Sequence, residues 1–316
     1  MLLGIRPRYS DATNMGGSSF VSHLFHAAAA VEAGLCEVAL IAYGSTQRSA
    51  SGRLVSGSET LTYEAPYRPR YPVSAYALAA SRHMHEYGTT REQLAEVAVA
   101  AREWAKLNPK AFVRDDLSVE YVLRSRMVSS PLSVLDCCLV TDGGGAALIT
   151  SAERARSLRK PPVYLLGAGE AHRHLNISQM PDLTTSAAAE SGPQAYQMAS
   201  LGPKDMDVVM LYDAFTINTV LFLEDLGFCE KGEGGPLVSG GKISPGGELV
   251  VNTNGGGLYY NHPGMYGLLL FVEAVRQLRG ECGERQVADA NAALVHGSGD
   301  VLSSQVTTVL ASEEAL

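Results

Sequence analysis

A layered α/β fold is predicted by two observations. Helical periodicity alternates with short β-rich runs along the chain, and the alternation occurs twice, once on each side of a charged linker that ends in Lys160-Pro161-Pro162. A third feature, a glycine run set directly before a histidine that proline locks in place, marks where the second half carries chemistry.

In chain order, GGSSFVSHLFHAAAAVEAG at 16–34 is read as a long helix, followed by the apolar strand EVALIAYG at 37–44. A long connecting region comes next. Within it, TREQLAEVAVAAREWAKLNP at 90–109 has the pattern of an amphipathic helix, opened by Thr90 and closed by Asn108-Pro109, and its Trp104 is expected to pack in the core. CCLVTDGGGAALIT at 137–150 supplies a turn and a strand, and Ser151 to Pro162 is the predicted linker. The second half begins with PVYLLGAGEA, then VVMLYDAF, the helix TINTVLFLEDLG, a helix from about Leu268 to Leu278, and the strands AALVHGS and SQVTTVLA. The predicted halves are 1–160 and 161–316.

Composition bounds the function. The 316 residues are 46% hydrophobic and 18% charged with 32 glycines, enough for a large core or two related halves. Early arginines in MLLGIRPRYSD argue against a secretory signal, and the lack of an 18-residue apolar run argues against a membrane span, so a cytoplasmic enzyme is expected. A net charge of −8 argues against general nucleic-acid binding. The five cysteines, Cys36, Cys137, Cys138, Cys229 and Cys282, include no CxxC pair, so neither structural zinc nor a redox dithiol is expected.

The block NTNGGGLYYNHPGMYG at 252–267 is the most informative stretch. Gly255, Gly256 and Gly257 let the backbone approach a ligand, Pro263 fixes the chain after His262, and Gly264 and Gly267 permit a tight entry into the next helix. An isolated HPG turn would more often only cap backbone groups; the wider sequence changes that reading.

The blocks at 16–34, 135–148, 208–216, 252–267 and 293–305 together resemble, in order, the thiolase superfamily, in the branch of the sterol-carrier-protein thiolases and the lipid-transfer-protein aldolases of steroid side-chain degradation. The resemblance implies a thiolase-like αβαβα fold of two related halves, with a loop domain at about 46–134. Thiolases attack a thioester with a cysteine at a helix start. Alignment on the AAVEAG turn puts that position at Gly17, followed by Ser18 and Ser19, which are expected to cap the helix rather than act as nucleophiles. The other two thiol positions hold His296 and, in Tyr212-Asp213-Ala214-Phe215, Ala214.

What the resemblance leaves is an oxyanion hole without a nucleophile. His262 would donate to a thioester oxygen, with amides of Gly255–Gly257 and the loop His296, Gly297, Ser298, Gly299 as further donors. Tyrosines stand where the thiols are missing. Tyr212 reads equally as packing or as an acid/base; one of Tyr259 and Tyr260 is expected to move a proton; Tyr266 is expected to pack. Asp213 is expected to orient its neighbours or cap the following helix. These features imply retro-aldol cleavage of a β-hydroxyacyl-CoA without a covalent intermediate. Acetyl-CoA acyltransfer and a non-catalytic acyl-CoA or lipid-binding scaffold are the alternatives.

Coenzyme A would be part of the substrate, and no other cofactor or metal is implied. Arg48, Arg53, Arg68, Arg70, Arg82, Lys106, Lys110, Arg114, Arg124 and Arg126 lie in the segment that the resemblance sets over the CoA. A homodimer or higher oligomer through residues of about 11–45 is implied, as is an OB-fold, zinc-ribbon acyl-CoA-binding partner in trans. Set against the family, the chain is expected to lack roughly two β/α units, on the order of 60 residues, before its first helix. The N-terminal half would then be truncated, either through a late start or as a short variant whose open sheet edge a partner covers.

Overall fold

The computed structural model describes residues 4–51 and 62–316. Helix α1 (Ser19–Glu32) leads into β1 (Val38–Ser45). The connecting region holds α2 (Val73–Tyr87), α3 (Arg91–Lys106), α4 (Val119–Arg124) and the short pair β2 (Met127–Ser129) and β3 (Leu132–Ser133). Then come β4 (Gly143–Thr150) and α5 (Ala152–Arg156). The second half runs β5 (Tyr164–His172), α6 (Ala188–Ala199), β6 (Val208–Leu211), α7 (Thr216–Asp225), α8 (Gly234–Val238), α9 (Gly267–Leu278), β7 (Ala292–Gly299) and β8 (Ser304–Ala311).

Strands β1 and β4 pair antiparallel, with Leu40 opposite Leu148 and Ala42 opposite Ala146. The other large sheet has the order β5-β8-β7-β6. A tight connection joins β7 to β8, so they pair antiparallel; β6 reaches β7 through three helices, and that long crossover permits parallel pairing. Every residue of β7 and β8 is buried, which is why both are free of formal charge and mostly small or apolar.

Helices α1 and α9 lie between the two sheets, and α6 covers the far side of β5 and β8. Their packing makes one continuous core. The described residues thus form alternating sheet, helix, sheet and helix layers. No described helix packs on the outer face of β1 and β4, where Val38, Leu40 and Leu148 are exposed.

Local cues explain most boundaries. Thr90 and Gln93 form a reciprocal capping box at the start of α3, and Trp104 is buried with Nε1 donating to the Ile243 carbonyl at 3.0 Å. Helices α2 and α6 fall in segments to which the periodicity reading assigns nothing; α6 contains Pro193, a residue that ordinarily argues against a helix.

Candidate active site

The site begins where α1 starts. Ser18 does not cap the helix: its own dihedrals are helical, and its hydroxyl donates to the Met15 carbonyl at 2.8 Å. The Ser19 hydroxyl donates to the Gly16 carbonyl at 2.7 Å and accepts from the Met15 amide at 2.8 Å. Both serines therefore close the 15–19 turn, which sits against the end of β7; a Cβ on Gly297 would meet the Ser18 backbone at 3.0 Å. Neither has a general base at its hydroxyl.

Gly17 faces the Tyr212 ring. A Cβ there would come under 3.0 Å from Tyr212 Cζ, Cε2 and the phenol oxygen, closer than real Cβ atoms approach anything. The ring occupies the volume into which a side chain at 17 would project. Glycine is required at that position by close approach rather than by backbone conformation.

Tyr212 leaves the end of β6 and reaches across to the histidine turn. Its phenol oxygen lies 3.2 Å from His262 Nε2, donates to the Gly264 carbonyl at 3.2 Å and accepts from the Tyr266 amide at 3.2 Å, at the start of α9. Tyr212 and His262 rings meet edge to face at 5.6 Å, and Tyr266 stacks on His262 at 6.2 Å. All three are buried. The Thr141 hydroxyl accepts from the His262 amide at 2.9 Å and so fixes the turn.

Burial sets the charge states. It holds His262 down to about 4, so the imidazole is neutral at neutral pH. It pushes the Tyr212 phenol well above its ordinary value, and the Tyr266 amide only partly opposes that. The resting site therefore holds a neutral imidazole beside a protonated phenol, not a preformed phenolate base. His262 Nδ1 is buried without a hydrogen-bond partner.

The glycine loop is wired differently from the expectation. The Gly255 amide donates to the Asn252 carbonyl at 2.9 Å, the Gly256 amide to Asn254 Oδ1 at 2.8 Å, and the Gly257 amide to Asp213 Oδ1 at 2.6 Å. All three donors are consumed inside the protein and do not point at a substrate oxygen. Asp213, rather than capping α7, holds this loop, and burial raises its carboxyl to about 7 against the pull of the loop amides.

Other predicted residues sit elsewhere. The Tyr259 phenol donates to the Leu135 carbonyl at 3.1 Å, and its ring lies 3.9 Å from the Arg102 guanidinium carbon. The Tyr260 carbonyl accepts from the Phe112 amide at 3.0 Å, and its phenol is raised by burial with Glu273 among the charges it feels. Neither is hydrogen-bonded to His262 or in ring contact with it. His296 is fully buried, with Nδ1 at 2.9 Å from Thr307 Oγ1, Nε2 at 2.9 Å from Gln305 Oε1, and its ring edge-on to Phe222. It faces the side of the sheet opposite α1, because side chains alternate along β7 and Gly297 faces α1. Ser298 accepts from Gln305 Nε2 at 3.2 Å. The loop 296–299 is thus paired strand.

Of the cysteines, Cys138 lies nearest the tyrosines, and burial pushes its thiol far up; burial likewise raises Cys137, Cys229 and Cys282 to about 12. None of these four is a ready thiolate. Among the basic candidates, Arg48 stacks on the Phe112 ring at 4.8 Å, Lys106 pairs with Asp116 at 2.8 Å, and Arg53 lies outside the described residues. Among the described residues no cluster of His, Cys, Asp or Glu side chains is placed to hold a metal ion, and no helix is long and apolar enough to cross a membrane.

Tyr43 belongs to the site and carried no sequence signal as a member of an ordinary apolar strand. Its phenol donates to the Pro263 carbonyl at 2.5 Å and accepts from the Met265 amide at 3.1 Å, clamping the histidine turn from β1.

The thiolase C-terminal domain-like family matches residues 169–312. The acetyl-CoA acetyltransferase of Methanothermobacter thermautotrophicus is 41% identical over 239 residues, 75% of this chain and 62% of that protein. A steroid side-chain-cleaving aldolase of Thermomonospora curvata is 34% identical over 310 residues, 92% of this chain and 78% of that one. The chain belongs to the thiolase superfamily. Its place is the branch that includes sterol carrier protein 2 and the steroid side-chain aldolases. Among solved structures, the Ltp2-ChsH2(DUF35) aldolase superposes with a TM-score of 0.86 at 32% identity, covering 96% of this chain and 79% of that chain. The thiolase-like layers described above are those of this superfamily, while the chain spans less than two thirds of the length of the archaeal acetyltransferase.

Proposed function

We propose that this thiolase-superfamily chain is an acyl-CoA carbon–carbon lyase that cleaves a β-hydroxyacyl-CoA by a retro-aldol reaction without an acyl-enzyme. The supporting observation is the Tyr212 ring, which fills the side-chain volume of position 17 and sets its phenol 3.2 Å from His262 Nε2. Acyl transfer needs a nucleophile there, and the residue that excludes one is itself an acid/base group.

In this reading the thioester oxygen takes a hydrogen bond from the His262 imidazole, with the Tyr212 phenol alongside. The β-hydroxyl loses its proton, the Cα–Cβ bond breaks to leave a ketone or aldehyde, and the bonding pair moves into the thioester enolate. Protonation of the α-carbon gives the shortened acyl-CoA. One proton leaves oxygen and one arrives at carbon, so the reaction balances with no outside reagent. Tyr212, kept protonated by burial, relays the proton: it gives its own to the α-carbon of the forming enolate and takes the β-hydroxyl's in return, and the Tyr266 amide at the start of α9 steadies its oxygen while it carries charge. Donors aimed at developing enolate charge are worth roughly a hundredfold to a thousandfold in rate each.

The remaining parts of the reading follow from the branch. Steroid or other lipid side chains are the acyl class, residues 1–160 and 161–316 are the two halves, and about 46–134 is the loop domain that meets the CoA. A second protomer and an OB-fold, zinc-ribbon acyl-CoA-binding protein are the proposed partners; the matched Ltp2-ChsH2(DUF35) aldolase, which pairs two proteins, supports the latter. The test is incubation with a panel of β-hydroxyacyl-CoAs, with and without such a partner, followed by chromatography for a shortened acyl-CoA and its carbonyl co-product. Acylation of the protein, seen as an added acyl mass, would instead establish transfer chemistry.

A further inference from the structure

Beneath the glycine loop lies a small pocket of about 10 Å³, bounded by Asp213, Thr219 and Asn252 with apolar walls from α3, Ile243 and Val251. Its polar side is unbalanced. Thr219 is 1% exposed, and its hydroxyl has no hydrogen-bond partner. Leaving such an orphan unsatisfied is unfavourable, so a buried hydroxyl of this kind implies an occupant that satisfies it. A space of about this size admits one water, provided two to four polar groups surround it. The three polar side chains of the lining meet that condition.

We propose that this cavity is a water site, one water bridging the Asp213 carboxyl to the Thr219 hydroxyl within reach of the Asn252 side chain, and that Asp213 thereby acts as a positioning residue for His262. The path is short. Asp213 Oδ1 holds the Gly257 amide at 2.6 Å, and Gly257 separates it from the imidazole: a Cβ on Gly257 would stand 3.2 Å from Asp213 Oδ1 and 3.0 Å from His262 Cδ2. Tightening or releasing the carboxylate therefore moves the strip of backbone on which the imidazole edge rests. The other titratable groups that interact with the carboxyl are Cys138, Tyr259 and Tyr266, all kept neutral by burial. The loop amides and Asn252 favour the ionised carboxyl against its burial, and the bridging water adds to them. The water donates to the carboxylate and so favours its charged form.

The inference stands apart from the retro-aldol reading, and its test needs no turnover. In protein carrying ¹³C-carboxyl aspartate, the Asp213 resonance is assigned by its loss in Asp213→Asn, and its midpoint is followed in wild type, Thr219→Val and Thr219→Ser. Valine keeps the shape and removes the hydroxyl; serine restores it. The expected result is a midpoint about one pH unit higher in Thr219→Val than in wild type, the equivalent of one weakened hydrogen bond to a charged group, and a return in Thr219→Ser. Equal midpoints in wild type and Thr219→Val overturn the proposal. A crystal structure of the wild-type chain decides independently of whether the valine variant folds: water density between Asp213 and Thr219 is expected, and a dry cavity rejects the site.

Discussion

Replacing Gly17 by alanine inserts a single methyl group into the volume held by the Tyr212 ring. The added Cβ would lie under 3.0 Å from three ring and phenol atoms, so either α1 or the ring must shift. The α1 side is confined by the Ser18 and Ser19 hydroxyls and by β7, whereas Tyr212 is held by three hydrogen-bond contacts of 3.2 Å. The ring is the softer partner. Overpacking of this kind costs about 1–3 kcal/mol, which corresponds to a fall in Tm of several degrees for a chain of this size. Displacing the phenol from His262 removes a positioned proton donor and should lower kcat by roughly a hundredfold to ten-thousandfold. The assay is cleavage of the best β-hydroxyacyl-CoA from the panel, run beside thermal melts. A double-mutant cycle isolates the cause, because on a Tyr212→Ala background the added methyl group has room and its cost in stability should disappear. If Gly17→Ala melts and turns over like wild type, or keeps its full penalty on the Tyr212→Ala background, the ring does not occupy the nucleophile's place.

Four further outcomes are expected. His262→Ala should depress kcat more than acyl-CoA affinity, as measured by turnover and by equilibrium binding; an unchanged kcat removes its oxyanion role. Tyr212→Phe should abolish most cleavage while keeping the fold, whereas Tyr259→Phe with Tyr260→Phe should retain it, and a reversal of that order in the same assay would restore the pair as proton carriers. Alkylation of native protein by iodoacetamide should leave cleavage largely intact, since the thiols of Cys137, Cys138, Cys229 and Cys282 are raised by burial; rapid loss protected by substrate would contradict this. His262 and His296 are depressed to about 4 and about 3, below an unfolded value near 6.5, so the stability tied to their neutral forms is full above that value and is lost as pH falls through it toward the folded values. Denaturant melts from pH 6.5 to pH 4.5 should therefore show a pH slope that His296→Gln reduces by up to about 1.4 kcal/mol per pH unit; no difference in slope means the imidazole is not buried neutral.

The α/β order was legible because its strands are short, apolar and bounded by turns. The runs AALVHGS and SQVTTVLA became β7 and β8, TINTVLFLEDLG became α7, and the helix predicted from Leu268 begins one residue earlier, at Gly267. Helix α6 was hidden by Pro193, and α2 by the absence of a cue as strong as the capping box of α3. At the site, position 17 and His262 stand out in the sequence because a glycine replaces a reactive residue of the family and a His-Pro-Gly turn follows a glycine run. Which tyrosines face the imidazole could not be read, since that depends on the strand–turn–helix path. Tyr259 and Tyr260 are nearest in sequence, yet the chain turns them toward Leu135 and the Glu273 side, while Tyr212 and Tyr266 arrive from β6 and α9. His296 was misplaced for a related reason: sequence gives the alternation along β7 but not which face α1 covers.

The glycine amides committed to Asn252, Asn254 and Asp213 carry a consequence for engineering. A backbone N–H can be deleted by proline but not graded by altering a codon, so an anion site made of amides cannot be tuned in steps. In the proposed mechanism the groups that meet a substrate oxygen are an imidazole and a phenol, and each can be exchanged for a graded series. Fluorinated tyrosines at 212 would step the phenol's pKa downward with little change in shape, turning the site's proton affinity into an adjustable quantity while the loop beneath it stays as it is.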